Sequence, residues 1–394
     1  MSDTVSTNGH QTRLTSSTHV TNSTVSDPKH LICFSHLRWN FVYQRPQHLL
    51  SRATSDYHVW FLEEPIWDEE YRLNECQQTD KLTVLVPHIP HGTPHEEAIR
   101  MQRQLIDTFL AEKNIKSFVS WYYTPMALQF SDHLKPSMTV YDCMDELSAF
   151  LGAPPQLLTQ EQRLIDRADL VFTGGYSLYE AKQHRHPHVF AFPSSIDFNH
   201  FSVARQEQAD PIDQQSHPKP RLGFSGVIDE RFDYKLVGEL ASQHPDWQFI
   251  LVGPIVKISR ELLPKGPNVH YLGMKHYNDL PTYFSSWDVA ILPFALNEST
   301  RFISPTKTPE YLAAGLPVVS TPIKDVVRTY GTEGFVQIAD STDSFAAAVE
   351  LALSGKHPEN WEAIDEFLKE NSWDNTWNEM HRLILAHLNV AVDQ

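Results

Sequence analysis

Cysteine is scarce in this 394-residue chain: Cys33, Cys76 and Cys143 are the only three, and they lie far apart. Cys33 and Cys143 sit in apolar, strand-like runs where a buried free thiol is expected, a usage that suits a reducing cytoplasm. Basic residues are in deficit, 32 Lys and Arg against 49 Asp and Glu, for a net charge of −17. That balance argues against a general nucleic-acid binder, whose affinity rests on neutralising phosphates, and against broad attachment to anionic lipid. No apolar run approaches the roughly 20 residues of a membrane span. The N-terminus is rich in Ser, Thr, His and Asn and lacks the apolar core of a secretory signal; residues 1–28 read as a disordered tail. Neither G-x-G-x-x-G nor a Walker A sequence occurs, which counts against a nicotinamide dehydrogenase or a P-loop ATPase. There is no repeat of short period.

What is present is a long alternation of strand-like and helix-like segments. The length implies two domains. In the first half, His30–Ser35, His58–Leu62, Leu82–Val86, Phe118–Tyr123, Met138–Cys143, Leu170–Thr173 and Val189–Phe192 are short β-branched or aromatic runs. Helical patterns intervene at Pro46–Ala53, Glu96–Asn114 and Pro155–Ala168. A polar, aperiodic stretch from about Ser202 to Pro220 reads as a linker. The second half continues with strands at Arg221–Ser225, Gln248–Val252, Val269–Leu272, Val289–Pro293, Pro317–Thr321 and Phe335–Ile338, with helices at Tyr234–His244 and Leu280–Trp287. Helix-rich sequence follows at Asp343–Ser354 and Trp361–Leu388. Alternation of this kind implies α/β domains with parallel sheets, facing each other across a cleft at the carboxyl ends of their strands. The expected organisation is 1–28 tail, 29–201 first domain, 202–220 linker, 221–372 second domain and 373–394 closing helix.

The most informative segment is Ser304-Pro-Thr-Lys307-Thr-Pro309-Glu310-Tyr-Leu-Ala-Ala-Gly315-Leu-Pro-Val-Val319, a polar loop, a short helix stopped by glycine and a buried strand. A helix N-terminus favours phosphate, Lys307 adds a full positive charge, and Glu310 accepts hydrogen bonds from sugar hydroxyls. The helix begins either at Pro305 behind Ser304 or at Pro309 behind Thr308. Gly223-Phe-Ser-Gly226-Val-Ile-Asp-Glu-Arg231 runs from a strand into a glycine turn followed by a cation whose planar fork suits oxyanions. Gly273 ends another strand, and Tyr277 follows it a turn later. In the first half, Ser35-His36-Leu-Arg-Trp39 leads through Gln44-Arg45-Pro46 into a helix, and Tyr141-Asp142-Cys-Met-Asp145-Glu146 clusters carboxylates at a strand's carboxyl end, where such sheets present their chemistry.

These segments resemble the retaining GT-B glycosyltransferases of family four, in particular the teichuronic-acid-type enzymes of cell-surface polysaccharide synthesis; the likeness runs from about Leu31 to about Trp377. It implies two Rossmann-like domains, an acceptor domain first and a donor domain second, and transfer of a sugar from a nucleotide-diphosphate donor, UDP favoured, to a glycan or lipid-linked acceptor with retention. It implies Asp145, Asp142, Arg231 and Lys307 at the reacting centre. Gly226, Arg231, Lys307, Glu310, Gly273, Tyr277 and Ser304 fall on the donor, and His36, Trp39, Gln44 and Arg45 on the acceptor or cleft side. A second glutamate of the pattern is replaced by Phe302, so Asn297 and Thr300 of the same loop are assigned the sugar contact. No metal or other cofactor is required. The protein is expected in the cytoplasm, with peripheral contact at the inner membrane face. An epimerase of sugar nucleotides, an inverting GT-B transferase and a nucleotide-sugar-binding scaffold subunit stay open as alternatives.

His88, His91 and His95 lie among prolines and a glycine that prevent one helical face from presenting them together, so no metal site is expected.

Overall fold

The computed structural model describes residues 28–355 and 360–392, so the expected tail falls outside the described residues except for its last position. Two twisted sheets carry the chain. The first holds nine strands: β1 (His30–Phe34), β2 (His58–Leu62), β3 (Ile66–Asp68), β4 (Arg72–Thr79), β5 (Leu82–Pro90), β6 (Phe118–Tyr122), β7 (Met138–Cys143), β8 (Leu170–Thr173) and β9 (Val189–Ala191). Their order is β3-β5-β2-β1-β6-β7-β8-β9, all parallel except β4, which pairs antiparallel with the outer edge of β5. The second holds six parallel strands: β10 (Arg221–Ser225), β11 (Gln248–Val252), β12 (Val269–Gly273), β13 (Val289–Leu292), β14 (Val318–Ser320) and β15 (Gln337–Ile338), in the order β12-β11-β10-β13-β14-β15.

The central strands are buried on both faces, as parallel strands covered by helices must be. HLICF, HVWFL and FVSWY are near-continuous apolar runs, and Leu31, Ile32, Cys33 and Phe34 are all inaccessible to solvent. Both buried thiols are free, as expected. Each sheet starts in its middle and reverses its direction of growth once, between β1 and β6 in the first and between β10 and β13 in the second. Loops leaving the carboxyl ends at those two points form the walls of the cleft.

Strands β3 and β4 are absent from the sequence expectation; Arg72–Thr79, RLNECQQT, carries almost no apolar pattern and is held by the ladder to β5 rather than by burial. The segment Trp361–Leu388 is two helices, Trp361–Glu370 and Trp373–Val392, not one. They part where the backbone of Asn371 accepts from the N–H of Ile196 and the N–H of Trp373 donates to Ile196. The second helix returns to the first sheet, where Trp373, Trp377, Met380 and Ile384 pack with Leu49, Leu50 and Ala53 of the helix Arg45–Ala53. Residues 206–220 form no helix or strand and lie against the second sheet's helices, with Gln214 accepting from the Trp287 indole and Asp213 from Lys275.

The lobes are in contact. Asp325 of the second lobe accepts hydrogen bonds from the Ser177 N–H and hydroxyl of the first, beside Gly175, where a Cβ would lie 2.4 Å from the carboxylate. Glu180 takes ion pairs from Lys324 and Arg328. Asp325→Ala strands a buried N–H and removes this tie; the expected loss is roughly 1–3 kcal/mol in urea titration, and unaltered stability would show that water replaces the carboxylate without cost. No helix among the described residues is long and apolar enough to cross a membrane.

Candidate active site

The first wall of the cleft is the loop after β1. The Ser35 hydroxyl accepts from the Leu37 N–H at 2.9 Å and turns the chain. Glu63, at the end of β2, accepts from the Trp39 N–H at 2.7 Å and from Arg38 Nη1 at 2.9 Å, and so pins the loop to its neighbouring strand. Gln44 and Gln47 close a capping box at the start of the helix Arg45–Ala53, with Pro46 in the first turn, where no N–H is needed. Val42, Tyr43, Gln44 and Arg45 are thereby presented to the second lobe. Farther along the sheet, Gly174 permits the turn after β8 to touch the turn after β7: a Cβ there would lie 2.3 Å from the Met144 carbonyl oxygen.

The opposite wall comes from the turns after β10 and β11. Gly253 has φ +143, and a Cβ on it would sit 1.8 Å from the Gly226 carbonyl oxygen, so only glycine lets these two turns meet. Asp229 accepts from Arg231 through Nε at 3.0 Å and Nη2 at 2.7 Å, and from its backbone N–H at 3.0 Å. That carboxylate aims the guanidinium across the cleft, 5.2 Å from the centroid of the Phe150 ring of the first lobe, and leaves Nη1 with no hydrogen-bond partner among the described residues. The helix Lys307–Ala313 starts behind Thr306, at neither of the two positions expected. Pro309 is therefore its third residue, where the backbone donor is unused in any helix. Lys307 Nζ donates to Glu310 at 2.6 Å, one turn on, with its remaining donors uncommitted.

Two adjoining cavities result. One, about 130 Å³, is lined by Val42, Tyr43, Gln44, Arg45, Met144, Asp145, Gly174 and Ser194 on one side and by Gly226, Arg231, Phe294, Ser304 and Lys307 on the other. The second, about 560 Å³, runs between Trp39–Tyr43 and the strand ends at Ser225–Gly226, Val252–Pro254 and Met274–Asn278. Gly226 and Lys307 belong to both.

Among the described residues Asp145 is the only carboxylate lining the smaller cavity. Burial raises its carboxyl to about 6, against the opposing pull of Arg231 and Arg45. His36 is pushed down to about 4 by burial, with Lys257 adding to the effect, and its Nδ1 has no hydrogen-bond partner among the described residues. Burial likewise holds His48 well below the usual imidazole range; it stacks on Trp373 at 4.7 Å.

Several expectations on individual residues need correction. Arg45 and Asp142 are not free groups: Arg45 donates to Asp142 through Nε at 3.1 Å and Nη2 at 2.9 Å and to the Phe192 carbonyl at 2.7 Å, and the pair is almost wholly buried. Asn297 and Thr300 are consumed in capping their own turn, and Asn297 Nδ2 also donates to the Glu230 carbonyl; neither lines a cavity. Phe302 packs against the first lobe's core. The Tyr277 ring lines the larger cavity but is already stacked with Tyr43 and with His200, each at 4.3 Å, so it has no face to offer a base. Glu310 is 2 % exposed and absent from both cavity walls; in this structure it holds Lys307. Ser304 lines the smaller cavity while accepting from the Ser194 N–H. Gly273 adopts φ +71 and supplies its carbonyl to the Gly253 N–H, outside the cavity lining. Asp145, Arg231, Lys307, Gly226, Gln44 and Trp39 all reach the cavities. Tyr43, Phe150 and Asp229 were not singled out. The Asp229-x-Arg231 spacing was the available signal for the last of them. Among the described residues no cluster of three or more His, Cys, Asp or Glu has metal-binding geometry.

Residues 220–354 match the family described as "Glycosyl transferases group 1". Over 287 residues, 68 % of this chain and 71 % of the relative, the sequence is 26 % identical to a Bacillus subtilis (strain 168) protein named as a teichuronic acid biosynthesis glycosyltransferase, TuaH. In architecture it is similar to a sucrose-phosphate synthase from Thermosynechococcus elongatus, with TM-score 0.70 at 15 % identity, over 92 % of this chain and all of that one. It is also similar to a trehalose-6-phosphate protein from E. coli bound with UDP-2-fluoro glucose, with TM-score 0.66 at 12 % identity, over 91 % of this chain and 98 % of that one.

Proposed function

We propose that this GT-B glycosyltransferase, whose residues 220–354 form its group 1 glycosyl transferase domain, moves a sugar from a UDP-sugar donor to a glycan or lipid-linked acceptor in polysaccharide synthesis. One observation carries the donor assignment. Two cavities of unequal size join at Gly226 and Lys307, with Arg231 reaching into the smaller. The nucleoside takes the larger, the sugar the smaller, and the diphosphate the shared wall, where glycine admits close backbone approach and two cations stand nearby. The Bacillus subtilis relative, by its name, supports the polysaccharide context.

As the bond between the anomeric carbon and the phosphate oxygen breaks, negative charge gathers on the leaving phosphate. Lys307 and Arg231, already positioned by Glu310 and Asp229, stabilise that charge without reorganising. The leaving phosphate takes the acceptor's proton on the same face of the sugar as the new bond forms, and configuration is retained. Retention is carried over from the resemblance to the retaining family-four enzymes and asks for no separate general base; among the described residues Asp145 is the carboxylate that lines the smaller cavity. Asp145 faces the sugar's hydroxyls or the incoming acceptor.

The raised Asp145 carboxyl gives a pH prediction. Its proton is held up to about pH 6. Below that pH the group is neutral; above it a carboxylate stands near the donor's diphosphate and repels it. A sugar nucleotide's diphosphate does not titrate in this interval, and His36, pushed down to about 4, is already neutral there. Donor affinity measured with UDP-glucose should therefore fall roughly threefold to tenfold from pH 5 to pH 7.5, and Asp145→Asn should flatten the curve. An identical slope in the variant would remove Asp145 from the donor's surroundings.

A thermal-shift screen against UDP, GDP, TDP and ADP sugars tests the nucleotide. A donor at one hundred times its Kd stabilises by about 2.7 kcal/mol. Stabilisation by UDP sugars above the others is expected; no shift with any of them contradicts the proposal. Anomeric analysis of the product by NMR tests retention, and conversion of donor with no acceptor present would indicate an epimerase instead.

A further inference from the structure

A third cavity, about 260 Å³, lies wholly within the first lobe. One wall is a single stripe of the helix His95–Glu112: His95, Ala98, Ile99 and Gln102, at the spacing that shares one helical face. The other walls are the carboxyl ends of β1, β2 and β6, at Phe34–Ser35, Leu62–Glu64 and Thr124. The order β2-β1-β6 marks the point where the chain, having built outward from β1 on one side, resumes on the other. In open α/β sheets the crevice outside such a reversal is where ligands bind.

The floor is apolar, made by Phe34, Leu62, Ile99, Met126 and Phe130. The rim carries Trp67, 44 % exposed, and three polar side chains, Glu64, Gln129 and His95, that make no hydrogen bond to another described residue. Glu63 is already engaged by Arg38 and the Trp39 N–H. No Lys or Arg among the described residues lines the cavity. A phosphate or pyrophosphate group would meet two glutamates and no cation there. Burial also raises the Glu64 carboxyl above its ordinary range, partly offset by Arg38. An aromatic face beside a carboxylate and an amide, above an apolar floor, fits a sugar ring that carries an uncharged apolar group.

We propose that this cavity binds the acceptor as a neutral glycoside, its ring against Trp67, its hydroxyls on Glu64 and Gln129, and its apolar aglycone on the floor formed by Phe34, Ile99 and Phe130. The proposal rests on the glycosyl-transfer reading and narrows its acceptor class: any phosphate of a lipid-linked acceptor stays outside this cavity. The site communicates with the donor through one short loop, since Ser35 lines this cavity and Trp39–Tyr43 line the nucleotide cavity, with Glu63 fastened to the loop between them.

The test is calorimetry on the full chain with n-octyl glucoside below its micelle concentration, glucose and glucose 6-phosphate, with UDP titrated separately into every variant. Octyl glucoside is expected to bind more tightly than glucose, and glucose 6-phosphate most weakly. Ala98→Phe, which fills the cavity, should weaken octyl glucoside at least tenfold, and Trp67→Ala and Glu64→Gln severalfold each, with UDP affinity unchanged in all three. If Ala98→Phe loses UDP binding as well, the two rim variants decide, because neither side chain belongs to a core cluster. Absence of octyl glucoside binding, equal affinity in wild type and variants, or preference for glucose 6-phosphate overturns the proposal. Loss confined to UDP in the wild type would instead overturn the donor reading and leave this one standing.

Discussion

Arg231→Ala is expected to lower kcat roughly 100-fold to 1,000-fold, the range seen when one preorganised donor to developing negative charge is removed. The magnitude follows from how the side chain is held. Asp229 grips Nε and Nη2, Phe150 of the opposite lobe covers the guanidinium, and Nη1 is left to act. In the proposed reaction, a cation fixed in this way would meet the leaving phosphate without first ordering itself. The charge it stabilises grows as the glycosidic bond opens, so kcat should fall more than KM rises. Arg231→Lys should recover only part of the loss, since an ammonium cannot make the paired contact to Asp229 that sets its direction. The turn itself should survive, because the Arg231 backbone N–H still donates to Asp229. Steady-state kinetics with a matched donor and acceptor decide the matter. A variant with wild-type kcat would mean that the phosphate leaves elsewhere.

Arg45→Ala should be the most damaging single change to stability, costing about 3–5 kcal/mol in chemical denaturation. Its guanidinium joins the helix after the first cleft loop to the end of β7 through Asp142 and to the end of β9 through the Phe192 carbonyl. Removing it leaves the Asp142 carboxylate, with no accessible surface, beside the Tyr123 ring and without a counter-charge. The penalty is mainly the stranded charge rather than the value of the pair. The double replacement Arg45→Met with Asp142→Leu should therefore recover most of the stability. If the double variant folds and still turns over substrate, the pair is scaffold; if it folds and is inert, Arg45 also touches substrate.

The framework of the fold was legible because its strands are buried on both faces and announce themselves as short β-branched runs. HVWFL, MTVYDC and LVFT begin and end where the sequence placed them. Strand β4 was not legible, since an exposed edge strand needs no apolar pattern. The break at Asn371-Ser372 was hidden as well, because its cause is a backbone pairing with Ile196, far away in the chain. The site divides in the same way. Residue types pointed to Gly226, Arg231, Lys307 and Asp145, all of which reach the cleft. Partnerships did not show: nothing local to Arg45 says that Asp142 awaits it, nothing near Tyr277 says that Tyr43 and His200 flank its ring, and the loop of Asn297 and Thr300 reads alike whether it caps itself or holds a sugar. Long-range ion pairing and ring stacking are properties of the assembled fold.

A crystal structure of the protein with UDP tests the central claim most directly. The account predicts diphosphate oxygens within about 3.2 Å of both Lys307 Nζ and Arg231 Nη1, against the backbone at Gly226, with the uridine in the larger cavity between Trp39–Tyr43 and Met274–Asn278. UDP bound outside the cleft, or in it with neither cation near the phosphates, would contradict the account.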